Sequence, residues 1–129
     1  MSQLINLELT VMKLLLAGDD DVLVGLRRQF ETSTVTNREF TGVGFFTTFG
    51  VPVSVPKVAE GKSFKFGDVN ASVAGLQHGA GFLLFVKDGV LKMLEGYSYD
   101  EPWPKQITTF ELSYEKNCRN WAALRANWS

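Results

Sequence analysis

Hydrophobic residues near the start of the chain recur every three or four positions, the period of an amphipathic helix. The predicted buried stripe consists of Ile5, Leu9, Met12 and Leu16, flanked by Leu4, Val11 and Leu15. Gly18 suits the left-handed position that ends a helix, and the acidic run 19–21 supplies a cap and negative charge for the next one. The inward face of that second helix contains Val22, Leu23, Leu26 and Phe30. We expect the two helices to form a hairpin.

After Thr32 the spacing changes to two, which is the period of β-strands. The stretch 34–49 predicts one long strand or a bulged pair, with Val43, Phe45, Thr47 and Phe49 on one face. Gly42 and Gly44 mark either a bend or a place where another backbone or a ligand comes close. The prolines of segment 51–56 exclude a central strand there and favour an edge or a crossing loop.

The clearest predicted element is a hairpin from Phe82 to Tyr97, because Asp88-Gly89 provides a two-residue turn that matches strand twist. If Lys87 pairs with Val90, alternation places one set of residues on a shared buried face: Phe82, Leu84, Val86, Leu91, Met93 and Glu95. The less buried face then holds Leu83, Phe85, Lys87, Val90, Lys92 and Leu94. One or two short strands are expected between 64 and 73.

The end of the chain predicts a strand from Ile107 to Tyr114 and a short terminal helix marked by Trp121, Leu124 and Trp128. Helices followed by a run of strands favour the α+β class. We therefore expect an N-terminal helical hairpin packed on a curved antiparallel sheet of about five or six strands, with residues 1–129 forming a single domain.

Composition and charge exclude several classes of function. Lys and Arg number 13 against 14 for Asp and Glu, so there is no overall basic excess for binding nucleic acid. No apolar run approaches the ~20 residues that a membrane span needs. The first residues lack the positive charge of a secretory signal, and Cys118 has no partner for an internal disulfide. A cytoplasmic protein is expected.

The sequence motifs of common catalytic sites are not found. There is no P-loop, no nucleophile elbow and no metalloprotease helix, and one His with one Cys cannot form a structural zinc site. We therefore predict no metal and no cofactor. His78 is interpreted first as a turn residue, exposed or bonded to backbone, and Cys118 as an inert buried thiol.

Two features near the hairpin are candidates for function. Glu95 falls on the predicted apolar face, where a carboxylate must be paired, protonated or placed in a cavity. Beyond it, the loop that presents Trp103 between two prolines carries aromatic and acidic side chains. The candidate protein-binding residues are Tyr97, Tyr99, Asp100, Glu101 and Trp103. In the alternative interpretation, Trp103 folds back as a lid over the sheet edge.

The segment 81–104 resembles small bacterial proteins that act as immunity proteins of polymorphic toxin systems. The resemblance lies in the Asp88-Gly89 turn, in Leu-Glu-Gly-Tyr at the end of the strand, and in Trp-Pro within the loop. It implies a non-enzymatic module that masks a cognate toxin domain.

Two hypotheses follow from these observations. The first is a non-enzymatic protein-binding module that uses the aromatic and acidic loop. The second is a small-molecule pocket protein, or a cone-shaped α+β enzyme, with Glu95 and His78 as polar groups. A deep apolar cavity that reaches Glu95 favours the second hypothesis, and a filled core favours the first.

Overall fold

The computed structural model describes residues 2–115 and 119–126, with side chains from residue 5 onwards. Two helices, α1 (Ser2–Leu15) and α2 (Asp21–Thr32), precede all the strands, and a short helix, α3 (Trp121–Ala126), follows them. The strands are β1 (Thr34–Phe40), β2 (Gly44–Gly50), β3 (Phe64–Phe66), β4 (Val69–Val73), β5 (Ala80–Lys87), β6 (Val90–Ser98) and β7 (Phe110–Tyr114). The α+β class is confirmed. Cys118 and Trp128 lie outside the described residues.

The seven strands form one antiparallel sheet, which is one or two strands larger than expected. Its order is β1-β2-β6-β5-β4-β7, and β3 pairs with β5 beside β4. The stretch 34–50 is thus a pair of strands rather than one long strand. Segment 51–56 lies outside the strands, as its prolines predict.

The three helices cover the same face of the sheet, which we call the inner face. In α1, Glu8 accepts a hydrogen bond from Thr47 of β2. In α2, the Phe30 ring contacts that of Phe49, with 5.8 Å between ring centroids. In α3, Trp121 packs edge-on against Phe66 at 5.1 Å. The hydrophobic core lies between this helical layer and the inner face.

The buried stripe of α1 differs from the predicted one. Ile5 and Leu9 are 39% and 45% exposed, and the buried residues are Leu7, Glu8, Val11, Met12, Leu15 and Leu16. The cause is Glu8, which hydrophobic spacing cannot assign to a core. Its carboxylate binds the Arg38 guanidinium at two atoms, each at 2.9 Å, so that the helix turns this charged residue toward the sheet.

Glycines determine two details of the sheet. Gly42 has φ +87 in the turn between β1 and β2, so it marks a bend. Val43 lies in the same turn, before β2, and is 49% exposed, so it does not share the buried strand face of Phe45, Thr47 and Phe49. At Gly44 a Cβ would lie 2.0 Å from the carbonyl oxygen of Gly96, so this glycine is needed for close approach of two backbones.

The hairpin β5–β6 has the predicted turn, since Asp88 and Gly89 both have positive φ, at 52 and 75. Its register is not the predicted one. Val86 pairs with Leu91, but Phe85 pairs with Met93, so Lys92 is an extra residue in a β-bulge. Beyond the bulge every β6 side chain changes face.

This bulge corrects three assignments. Leu94 is fully buried on the inner face, although alternation had placed it on the less buried side. Met93 and Glu95 lie on the opposite face and are half-buried. The burial of Leu84, Val86 and Leu91 and the exposure of Lys87 and Lys92 are confirmed.

At the end of the chain, β7 begins at Phe110, and Ile107 is buried in the segment before it. Arg119 attaches this end to the rest of the molecule. Its guanidinium binds the Asp68 carboxylate at 2.8 and 2.9 Å and also donates to the carbonyl oxygens of Leu15 and Ala17 at 2.8 and 2.9 Å. Within the described residues, no helix has the length and apolarity needed to cross a bilayer.

Candidate protein-binding surface

The predicted binding loop follows β6 and is held against two neighbouring loops. The Glu101 carboxylate accepts hydrogen bonds from the backbone amides of Gln77 and His78, at 2.8 and 2.9 Å. These two bonds hold the pKa of Glu101 below its ordinary range, because they stabilise the ionised form. Asp100 beside it is exposed and has φ 61. Glu101 therefore orders the loop.

Trp103 is half-buried rather than fully presented. Its ring packs edge-on against Phe45 with 5.4 Å between centroids, and its backbone N–H donates to the Gly42 carbonyl oxygen at 2.8 Å. Because Phe45 belongs to the inner face, the indole covers the end of the core. These contacts agree with the alternative interpretation, in which Trp103 folds back as a lid over the sheet edge.

His78 is exposed, in the turn before β5, and it is the backbone of this residue that binds Glu101. Glu95 lies near the middle of β6, opposite Leu83 of β5 and Phe46 of β2. The strand β5 begins only at Ala80, which pairs with Ser98, three residues beyond Glu95 and so about 10 Å along the strand. The structure therefore does not bring Glu95 and His78 together.

The face of the sheet opposite the helices carries large apolar side chains. No described helix or loop covers them, since the helices α1 to α3 and Trp103 contact inner-face residues. We call this set the outer aromatic face, and it consists of Phe46, Leu83, Phe85, Met93, Tyr97 and Tyr99. Five of its residues are half-buried, and Tyr99 is 43% exposed. A continuous apolar surface of this kind is typical of a protein contact site.

Tyr97 and Tyr99 occupy one end of the outer aromatic face. Their rings meet edge-on, 5.6 Å apart and at 79°. Both lie over Gly81, where a Cβ would be 2.6 Å from the Tyr97 hydroxyl oxygen and 2.8 Å from that of Tyr99. Any side chain at position 81 would displace the tyrosines, so their packing requires glycine there.

Carboxylates surround the tyrosines. Burial, together with the neighbouring Tyr99, Glu115 and Glu95, raises the pKa of Tyr97 to about 12. Glu39 pairs with Phe46 and extends the acidic rim toward β1. A described cation lies at the far end of the face, where the Lys65 ammonium is 5.9 Å from the centre of the Phe85 ring. The tyrosine end is therefore both aromatic and acidic.

Clefts lined wholly by described residues lie elsewhere. Two adjoining ones, of about 260 and 630 Å³, separate the start of α2 from segment 55–64. A third, of about 320 Å³, lies at the edge of β4 and β7. Neither Glu95 nor His78 belongs to any of the three. Among the described residues, no group of three His, Cys, Asp or Glu side chains is placed to hold a metal ion.

Sequence analysis identified Tyr97, Tyr99 and Glu95 but missed Phe46, Phe85 and Met93. The signal for the missed residues was present in the run Leu91-Lys92-Met93-Leu94, where apolar residues at 93 and 94 break strict alternation. A bulge at Lys92 would have placed Met93, Glu95 and Tyr97 on one face. Comparison with family models, with curated proteins and with solved structures gave no match.

Proposed function

We propose that this chain is a non-enzymatic protein-binding module and that its recognition surface is the outer aromatic face. The observation that carries the proposal is an uncovered sheet face that combines contiguous apolar side chains with a carboxylate rim. Aromatic side chains and Met are enriched at the centres of protein interfaces. Negative charge around such a centre suits a basic partner, because it speeds encounter and excludes acidic competitors.

A toxin domain is the partner that we propose. The resemblance of residues 81–104 to immunity proteins supports this choice, and the tyrosine end of the face lies within that segment. The loop residues Asp100 and Glu101 extend the negative charge next to Tyr99. Trp103 is assigned a supporting role, since its ring contacts Phe45 in the core.

The pocket hypothesis has less support. It needs Glu95 and His78 to share a cavity, whereas Glu95 is on the open sheet face and His78 is in the turn before β5. The clefts described above contain neither residue.

Growth protection tests the proposal. The product of a gene adjacent to that of this chain is expressed in a bacterial host, alone or with the chain. If that product is a toxin, the wild-type chain restores growth. The Tyr99→Ala variant should lose protection, because removing an aromatic residue that anchors an interface costs about 2 kcal/mol or more of binding free energy.

Val53→Ala is the matched control, because Val53 is fully exposed in the loop after β2, away from the outer aromatic face. Thermal unfolding of both variants establishes that they remain folded. Protection that is lost with Val53→Ala, or that persists with Tyr99→Ala and with a second face variant, Phe85→Ala, would refute the proposed surface.

A further inference from the structure

The tyrosine end of the outer aromatic face contains an excess of hydrogen-bond acceptors. Glu95 and Glu115 form no ion pair with another described residue. Asn70 pairs with Gly81 on this face, and its Oδ1 is buried with no partner in the described part of the chain. Because this oxygen is closed to solvent, the acceptors within reach of a partner are the carboxylates of Glu95 and Glu115.

The two tyrosines give this end a defined shape. Their rings are close to perpendicular, at 79°, and their hydroxyl groups occupy the space above Gly81, which has no side chain. Tyr99 is 43% exposed, so one wall of the corner is open to solvent. We call Tyr97, Tyr99, Glu95 and Glu115 together the acceptor corner.

We propose that the acceptor corner binds an arginine side chain of the protein partner. This inference rests on the proposed function, and it specifies which chemical group of the partner is recognised there. A guanidinium carries five N–H donors in one plane and no acceptor, which complements carboxylates. Its flat face also stacks on aromatic rings, whereas a lysine ammonium is a compact, strongly hydrated charge.

The charge distribution supports this occupant. Lys65 lies beside Phe85, in the row formed by Phe85 and Met93, and not beside Tyr97. Tyr97 lies in a different row, between Gly44 and Gly81. No described cation therefore neutralises Glu95 or Glu115, and a partner's cation meets two uncompensated carboxylates.

A pair of short peptides tests the inference on the full chain. The probes are acetyl-Gly-Arg-Gly-amide and the same peptide with citrulline, which has nearly the shape of arginine without its charge. Binding is followed by NMR of the tyrosine rings and of the glutamate carboxyl carbons. The arginine peptide should shift the signals of Tyr97, Tyr99, Glu95 and Glu115 in a saturable manner. The citrulline peptide should bind about tenfold or more weakly, since ion pairing and cation–π attraction both require the charge.

The double variant Glu95→Gln, Glu115→Gln should reduce binding of the arginine peptide to the level of the citrulline peptide. Glu31→Gln, an exposed change on α2, is the matched control and should have no effect. Equal binding of the two peptides, shifts confined to other residues, or binding unchanged in the double variant each overturns the inference. So does concentration-dependent shifting without peptide, which would assign the corner to a second copy of this chain.

Failure of this inference is distinguishable from failure of the proposed function. If Tyr99→Ala abolishes growth protection while the arginine peptide does not bind, the face remains the interface and the arginine subsite is wrong. If the arginine peptide binds as expected while Tyr99→Ala and Phe85→Ala still protect, the subsite exists but the proposed interface is wrong.

Discussion

Single buried polar residues determine how the helices sit on the sheet. Gln29 of α2 is fully buried, and each polar atom of its side chain is used. Its Nε2 donates to the carbonyl oxygens of Pro56 and Gly89, both at 3.0 Å, and its Oε1 accepts from the Leu91 amide at 2.7 Å. One side chain thus joins the second helix, the loop after β2 and the turn of the central hairpin.

Replacing Gln29 by Leu should lower the free energy of unfolding by about 3 kcal/mol, because the Pro56 carbonyl and the Leu91 amide lose their Gln29 partner, and the Gly89 carbonyl keeps only the Val58 amide. Urea unfolding measures this loss. Gln106→Leu, at an exposed position in the loop before β7, serves as the control and should change stability little. Equal stability of the two variants would contradict the role given to Gln29.

Tyr97 should titrate well above an ordinary tyrosine, with a pKa of about 12. Because the folded pKa is raised, the fold favours the neutral phenol. Its contribution to stability is complete below the unfolded pKa of about 10 and is lost as the pH rises from there through 12. Ultraviolet difference titration of wild type and Tyr97→Phe isolates this transition. Ionisation of Tyr97 near pH 10 would contradict the effect ascribed to its burial and to the neighbouring carboxylates.

The sequence could not predict Glu8 and Gln29 as core residues, since each is buried only because partners distant in the chain satisfy it. Arg38, which binds Glu8, is 30 positions away, and Leu91, which binds Gln29, is 62 positions away. Spacing of apolar residues therefore identified α1 but not the direction in which its buried face points.

At the scale of elements, the sequence predicted helices and strands better than the side on which residues lie. The Asp88-Gly89 turn was predictable because positive φ at both positions restricts the choice of residues. The bulge at Lys92 was harder to predict, because its only signal is the apolar pair Met93-Leu94, while alternation through Leu91 and Met93 also fits a regular strand. One extra residue moved Glu95 from the core to the outer aromatic face.

The bulge gives a direct test through neighbouring residues of β6. Leu94→Ala should cost about 2–5 kcal/mol, because Leu94 is fully buried on the inner face. Met93→Ala should cost clearly less, about 1 kcal/mol, because Met93 is half-buried on the outer face. Unfolding of the two variants under the same conditions gives the comparison, and the opposite order of stability would restore the regular register.

At the scale of the whole molecule, two layers leave one face of the sheet open. The formal net charge of -1 hides an uneven distribution, because two of the carboxylates without ion pairs, Glu95 and Glu115, lie near the tyrosines. A net charge near zero is therefore compatible with a local negative surface that attracts a basic partner. This asymmetry between a helical side and an open aromatic side is the physical basis of the proposed function.

The central claim is that the partner binds the outer aromatic face. Methyl NMR of the chain labelled at methionine tests this claim directly, because Met93 lies on that face whereas Met12, in α1, is fully buried in the core. On addition of the proposed protein partner, the Met93 methyl signal should shift or broaden while that of Met12 stays in place. A complex that co-elutes on size exclusion but leaves the Met93 signal unchanged would contradict the claim.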